Sequence, residues 1–331
     1  STGAKVLTKY KRKHKDISNE HKQVIEYILT GREKWKKESS YGKNFIEAVH
    51  PETGRLHGDY LQVGSRTGRF SVSSPALQQV PREEKYRKCF IAPKGKKLIT
   101  ADYSQQELRY VGDVFKEPKI INAYAEEKDV HRLTASLVFD TPYNKVTKDE
   151  RFIGKTVNFA VMYGTTIYGL ADNLGLSLNK AQEILDNFFS KYSILGKSKT
   201  LVEEMIWERG YSVTPLGRRR YFDKPDLWKS NSHHDWFKAM VLREGFNHII
   251  QGGSADMLKL AMIKLHYDNP FGEDKLKIIM IIHDEIVIEV DEDIAEEAEE
   301  FLIECMDGAA NEMMEYIEAK TDSTINDYWS K

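Results

Sequence analysis

The sequence predicts an α+β fold. Three observations carry this expectation. Lys97-Leu98-Ile99-Thr100-Ala101 reads as a short buried strand, residues 277–290 read as two apolar strands around a polar turn, and residues 106–264 between them are mostly helical in pattern. Strands at both ends of a helical middle imply a helical insertion between strands of a sheet, not alternating βαβ crossovers.

The elements follow in order. Residues 16–38 have Val24, Tyr27 and Ile28 at helical spacing, and Gly31 is the expected stop. Residues 41–83 are rich in Gly, Ser, Thr, Pro and Gln, so turns and short strands are expected. The strand at residues 97–101 is expected to end in Asp102. The helical middle should break near Thr141-Pro142 and in the loop Thr214–His234. After the two strands of residues 277–290, residues 292–318 return to an acidic helix. No internal repeat or low-complexity tract is present.

Composition excludes several classes. The 331 residues are 40% hydrophobic and 30% charged, enough for a packed core under a solvated surface and against disorder as the main state. At ~100–200 residues per domain the length allows two or three domains. No apolar run approaches the ~18 residues of a membrane span, and no secretory leader is visible. Cys89 and Cys305 are isolated, which rules out a disulfide scaffold or a Cys-based zinc site and fits a reducing compartment. Ser1 in place of an initiator methionine is expected of a cut, processed or engineered piece. The net charge, 49 − 51 = −2, says nothing about nucleic acid, but its distribution does. Residues 1–100 hold 22 Lys and Arg against 10 Asp and Glu, while residues 291–331 hold 2 against 14. The basic first third could face phosphates or be a solvated surface.

Chemistry is concentrated in three places. Asp102 closes an apolar strand, where a carboxylate is a turn residue or a ligand. His283-Asp284-Glu285 interrupts a run of Ile, Met and Val, which needs either an exposed hairpin tip or a divalent ion shared with a second carboxylate, for which Asp102 is the candidate. Arg151, Lys155, Phe159 and Tyr163 are spaced by four, which puts all four within ~120° on one helix face. Cations there can hold phosphates and aromatics can stack on a sugar or base; the alternative is a surface helix with a core-facing aromatic pair. Gly154-Lys155-Thr156 looks like the end of a phosphate loop, but position 149 is Asp where that motif needs Gly, so the phosphate-loop reading is rejected. His233-His234-Asp235 lacks zinc spacing and reads as surface loop. Arg218-Arg219-Arg220 reads equally as a phosphate contact or a solvated face.

Together these segments resemble the family A DNA polymerases. Asp102-Tyr103-Ser104-Gln105-Gln106-Glu107-Leu108-Arg109 resembles that family's first catalytic motif, the Arg151-to-Gly164 helix its nucleotide-binding helix, and His283-Asp284-Glu285 its third motif. Thr67-Gly68-Arg69, Leu77-Gln78, Gly217-Arg218-Arg219-Arg220, Asn247 and Gln251-Gly252 also match, in the family's order. The resemblance is dense from about His50 to Trp329. It implies a right-hand polymerase with an antiparallel-sheet palm, helical fingers and a partial thumb: residues 1–50 partial thumb, 51–112 first part of the palm, 113–239 fingers, 240–331 second part of the palm.

The resemblance further implies two Mg²⁺ ions, replaceable by Mn²⁺, held by Asp102, Asp284 and the Tyr103 carbonyl. Arg151, Lys155 and His131 would clamp the triphosphate, Lys155 also protonating the pyrophosphate. Glu107 would reject a 2′-hydroxyl, Phe159 pack on the sugar, and Tyr163 stack at the insertion site. Arg69, Gln78, Arg243, Asn247, Gln251 and His283 would track primer–template DNA, and Glu285 would be an acid behind the catalytic pair. The expected partners are primer–template DNA and deoxynucleoside triphosphates, with no membrane, in the cytoplasm of a bacterial or phage-infected cell. The chain departs from the family at Ala76, Gln79 and Ile281, where the family has Asn, Asn and Gln; duplex contacts there are expected to differ. An N-terminal fragment or chain is expected to complete the thumb, and the length leaves no room for a proofreading domain. A single-subunit RNA polymerase relative is the neighbouring alternative, disfavoured by Glu107 and Phe159. A non-catalytic DNA-binding subunit is the alternative from another class, disfavoured by the intact carboxylates.

Overall fold

The computed structural model describes residues 3–14, 16–222 and 234–330. Its chain divides into two units, residues 1–60 with 72–80, and residues 61–71 with 81–331.

The first unit holds helices α1 (Ala4–Lys13), α2 (Asn19–Tyr41) and α3 (Lys43–Glu47) and the 3₁₀ turn Leu77–Gln79, which carries Gln78. Ser18 caps α2 by accepting the His21 N–H at 3.2 Å. The helix does not stop at Gly31. It runs on to Tyr41 because a mid-helix glycine costs only about 1 kcal/mol and the residues that follow favour helix. Its packed stripe also differs from expectation. Val24 and Tyr27 are 53% and 75% exposed, whereas Ile25 is 7% exposed, with Ile28 and Leu29 half-buried beside it. Ile28, common to both stripes, is the one residue of the expected face that is covered. The short strands β1 (Asp59–Leu61) and β2 (Ser71–Ser73) pair with each other.

The second unit is built on an antiparallel sheet. Its elements, in order, are α4 (Glu84–Arg87), β3 (Lys96–Tyr103), α5 (Gln106–Val114), α6 (Pro118–Ala125), α7 (Val130–Phe139), α8 (Lys148–Met162), α9 (Ile167–Leu174), α10 (Leu178–Lys191) and α11 (Ser193–Arg209). The hairpin β4 (Tyr211–Val213) and β5 (Arg219–Tyr221) follows, then the long α12 (His234–Tyr267), β6 (Leu276–Ile282), β7 (Glu285–Asp291), α13 (Ala295–Asn311) and β8 (Thr321–Asn326). Four strands lie side by side as β6-β7-β3-β8, so β3 and the hairpin β6–β7, about 180 residues apart in the chain, become neighbours. The antiparallel sheet with its helical insertion is the α+β arrangement that the sequence predicts.

Burial explains the continuous apolar run in β7. It is an inner strand covered on both faces, and Ile286, Val287, Ile288 and Val290 are fully buried. Leu302, Met306 and Ala309 of α13 are equally buried, and α13 packs against β3, β7 and β8. A separate helical core joins α5 to α12, with Phe115 and Phe246 stacked 5.2 Å apart.

The break at Thr141-Pro142 is present as a 3₁₀ turn, after which Thr147 and Glu150 form a reciprocal capping box that starts α8. The acidic helix ends at Asn311, short of residue 318. Asp113 binds the tail beyond it by accepting backbone N–H groups of Glu315, Tyr316 and Ile317 at 2.6–3.1 Å. That turn feeds β8, a polar strand with no apolar alternation to announce it. Of the expected loop His233-His234-Asp235, His233 lies outside the described residues, whereas His234 and Asp235 are the first residues of α12 and not loop. Among the described residues no helix is long and apolar enough to cross a membrane.

Ile288 sits at the centre of this sheet, opposite Ile99 on one side and Ile278 on the other. Ile288→Ala is expected to lower stability by about 2–5 kcal/mol, read as a lower urea midpoint at unchanged slope.

Candidate active site

Backbone register brings the two acidic motifs together. In the antiparallel β3–β7 pair Asp102 stands directly opposite Glu285, and Asp284 is the residue just before Glu285. Paired Cα atoms in such a ladder are about 4.5–5.5 Å apart, so two carboxylates far apart in sequence meet at one end of the sheet. The Ile282–Glu285 pair closes a two-residue turn at His283-Asp284, and His283 takes φ +59° to make it. Asp102, Tyr103, His283 and Asp284 all line a cavity of about 550 Å³.

Glu285 does not line it. The side chain is 2% exposed and accepts the Trp329 Nε1–H at 2.7 Å, while Arg87 Nη1 lies 3.5 Å from its other oxygen. Arg87 also stacks 4.0 Å over the Trp329 ring. A buried carboxylate needs such partners, since an uncompensated one costs several kcal/mol.

Helix α8 supplies the opposite wall. Lys155, Phe159 and Tyr163 line the cavity. The rings of Phe159 and Tyr163 are parallel to within 5° at 5.7 Å, and Lys155 Nζ is 5.8 Å from the Phe159 centroid. Arg151, a turn further back, is outside the lining, with its Nε bound to Asp129 Oδ2 at 2.6 Å. His131 reaches the cavity from α7, 5.8 Å from Phe159. The two helices approach closely because of Gly154. A Cβ there would fall 2.3 Å from the His131 carbonyl oxygen and 2.9 Å from the Ala135 nitrogen. The glycine that superficially suggests a phosphate loop is instead the crossing point of α7 and α8.

Charged groups fasten the floor. Arg69 Nη2 is 2.5 Å from Glu107 Oε1, and both line the cavity. Burial and the adjacent Glu107 carboxylate push the Tyr163 phenol up from its ordinary pKa. Burial, with Arg69 and Arg82 nearby, pulls His283 down. The Arg69 segment is itself held, because Lys259 donates to the carbonyls of Gln62 and Gly68 at 2.8 and 2.7 Å. Arg218 packs against Gly68 and is bound by Asp256 at 2.6–2.7 Å, and Arg220 is bound by Glu244. Arg218 and Arg220 are therefore engaged in ion pairs with α12.

Of the remaining expected contacts, Gln251 lines the cavity. Asn247 instead donates to the Met162 carbonyl at 3.0 Å, and Arg243 packs on Gly164. Gln78 belongs to the first unit. The sequence reading missed Arg82, Gln105, Gln106 and Met162, all in the lining. Gln105 and Gln106 lie inside the motif that begins at Asp102, and Arg82 follows a proline in the basic first third, so position in the sequence could have flagged them.

The donor set suits a hard cation. Among the described residues no group of three or more His, Cys, Asp or Glu side chains is arranged to hold a metal. Two carboxylates beside open volume match Mg²⁺, which takes one or two protein carboxylates and completes its shell with water and phosphate, and do not match zinc.

Comparisons with known proteins give the family and the fold. The family described as DNA polymerase family A matches residues 1–331. The chain is 34% identical to DNA polymerase I of Pseudomonas aeruginosa over 301 residues, covering 89% of the chain and 32% of that protein. It is 36% identical to the thermostable DNA polymerase I of Thermus filiformis over 294 residues, 86% of the chain and 34% of that protein. A solved structure, the POL domain of Pol1 from M. smegmatis in complex with DNA primer-template and dNTP, matches with a TM-score of 0.87 at 28% identity, over 99% of this chain and 56% of that one. The chain belongs to the family A DNA polymerases. It spans about a third of the length of the curated relatives it matches.

The close α7–α8 crossing makes a testable contrast. Gly154→Ala meets backbone atoms, which cannot rotate away, and is expected to destabilise by about 1–3 kcal/mol. Gly308→Ala on α13 meets nothing within 4 Å and is expected to be neutral or to stabilise by about 0.4–1 kcal/mol. Thermal unfolding of the two variants checks both signs.

Proposed function

We propose that this chain is the catalytic portion of a template-directed DNA polymerase, adding deoxynucleotides to a primer 3′-hydroxyl by two-metal phosphoryl transfer. The observation that carries the reading is the meeting of Asp102 and Asp284 at a cavity whose other wall is Lys155, Phe159 and Tyr163. Carboxylates for divalent ions, a cation for phosphates and a stacked aromatic pair for a nucleoside are together what nucleotidyl transfer requires.

The sheet with Asp102 and Asp284 acts as the palm (residues 51–112 and 240–331). The helices within residues 113–239 act as the fingers, and residues 1–50 as part of the thumb. Asp102, Asp284 and the Tyr103 carbonyl are the groups that would hold two Mg²⁺ ions, with Mn²⁺ able to substitute. Bound there, such ions lower the pKa of a primer hydroxyl and neutralise developing phosphate charge. Lys155 holds the triphosphate and passes its Nζ proton to the pyrophosphate oxygen as the P–O bond breaks. Arg151, on exchanging Asp129 for phosphate, and His131 add contacts to the same group. Phe159 packs on the sugar. Tyr163 occupies the insertion site until a base pair replaces it. Glu107 fills the space that a 2′-hydroxyl would need. Arg69, Gln78, Arg243, Asn247, Gln251 and His283 contact the primer–template, and Glu285 steadies the turn that carries Asp284. The bacterial relatives and the cysteine usage support a cytoplasmic setting.

Primer extension with Mg²⁺ tests the reading. Asp102→Asn and Asp284→Asn are each expected to lose at least about a hundredfold in rate, and equal extension by parent and both variants would sink it. Glu107→Ala is expected to raise ribonucleotide incorporation relative to deoxynucleotide; an unchanged ratio removes Glu107 from the role of sugar gate.

A further inference from the structure

His131 is buried to 7% exposure, yet it lines the cavity, and its two ring nitrogens have different surroundings. Nδ1 lies 3.0 Å from Asn158 Nδ2, one residue before Phe159 on α8. On the far side of that amide, Thr134 Oγ1 is 3.0 Å from Asn158 Oδ1. The Tyr192 hydroxyl is 2.9 Å from the same Thr134 oxygen. Asn158, Thr134 and Tyr192 are all buried and have no catalytic role in the reading above. The one proton of the Thr134 hydroxyl has two carbonyl-type acceptors in reach, Val130 O at 2.9 Å and Asn158 Oδ1 at 3.0 Å. In the arrangement that gives it to Asn158 Oδ1, the amide presents its N–H to His131 Nδ1, which is then a bare acceptor. The ring proton is then on Nε2, the nitrogen that Asn158 does not engage.

We propose that Asn158 is a positioning residue that fixes His131 as its Nε2–H tautomer, so that His131 meets an incoming triphosphate as a neutral hydrogen-bond donor and not as a third cation. The reverse amide orientation would place the proton on Nδ1 and aim a bare lone pair at an anion. The surroundings favour the neutral ring. Burial lowers the His131 pKa to about 4, and the charged groups that face it are Arg151 and Lys155, which lower it further, and Asp129, which opposes them. The unfolded ring takes its proton near the ordinary value of 6.5, so between about 6.5 and 4 the unfolded chain binds more protons. The contribution of His131 to stability is therefore full above this window and falls as pH falls through it. The division of labour is chemical. Lys155 supplies charge and His131 supplies direction, since a ring held at its back by an amide can donate along one line only.

The inference takes only the identity of the anion from the polymerase reading, and the first measurement is independent of it. Long-range proton–nitrogen correlation on the histidine-labelled chain reads the tautomer directly, with His131 assigned by its disappearance in His131→Gln. The expected result near neutral pH is a protonated Nε2 and a bare Nδ1. In Asn158→Asp the new carboxylate should move the proton to Nδ1. A parent ring protonated on Nδ1, or an Asn158→Asp ring unchanged from the parent, overturns the proposal.

The second measurement is single-nucleotide extension. His131→Gln, whose amide nitrogen reproduces the Nε2 donor, is expected to keep the deoxynucleotide KM within about threefold, whereas His131→Ala raises it about tenfold, the size of a lost hydrogen bond to a charged group. Asn158→Asp is expected to raise KM about tenfold at alkaline pH and to recover as the ring gains its second proton at lower pH. A flat pH profile for Asn158→Asp, or equal KM for His131→Gln and His131→Ala, counts against it. Failure of the parent to extend any primer would sink the polymerase reading while the tautomer result still stands.

Discussion

The site depends on one register. Strand β3 must pair with β7 so that Asp102 faces Glu285, because that alignment alone sets Asp284 beside Asp102 at the end of the sheet. A slip of one residue would turn the side chains of the strand to the opposite face. It would also pull Ile99 and Ile288, both fully buried, out of their packed positions. The apolar centre of the sheet and the acidic end of it are therefore one constraint: hydrophobic packing pays for the proximity of two like charges.

Glu285 shows how far that constraint reaches. A third acid in the same motif could have joined the other two, but it is turned into the protein against Trp329 and Arg87. Trp329 lies near the C-terminal end of the chain, and its backbone N–H is bound to the Phe90 carbonyl at 2.8 Å. The hairpin that carries Asp284 is thereby tied to the segment that precedes β3. The Asp113 carboxylate, which gathers the backbone of residues 315–317, adds a second tie between α5 and the same tail.

Much of this was legible in the sequence, for a physical reason. Buried strands write themselves as apolar runs, so β3 and the hairpin β6–β7 were visible, and a four-residue spacing shows the Lys155–Phe159–Tyr163 face directly. What was hidden depends on the partner, not on the element. Equal spacing could not choose between the Val24 and Ile25 stripes of α2. The polar sequence of β8 is that of an edge strand, which only its neighbour β3 reveals. The three arginines at 218–220 carry the same charge, yet Asp256 and Glu244 engage two of them from a helix more than twenty residues away. Arg151 has the spacing of the stripe but not its direction, because Asp129 holds it.

The charges in the cavity bear on why the proposed function would place two carboxylates where a phosphate is to bind. Arg69, Arg82 and Lys155 line it against Asp102, Glu107 and Asp284, and a neutral His131 adds nothing to either side. The formal balance is 3 − 3 = 0, and the Arg69–Glu107 pair withdraws one charge of each sign. A triphosphate entering such a site finds Lys155 and Arg82 opposed by Asp102 and Asp284, with no net attraction. Under the proposed function, Asp102 and Asp284 would hold divalent ions that reverse the sign of that end of the cavity, because each would bring two positive charges to one carboxylate. If the proposed function holds, nucleotide affinity would be conditional on metal. A site with a surplus of cations would hold a bare triphosphate without such ions, and under the proposed function a neutral His131 ring would add nothing to that surplus.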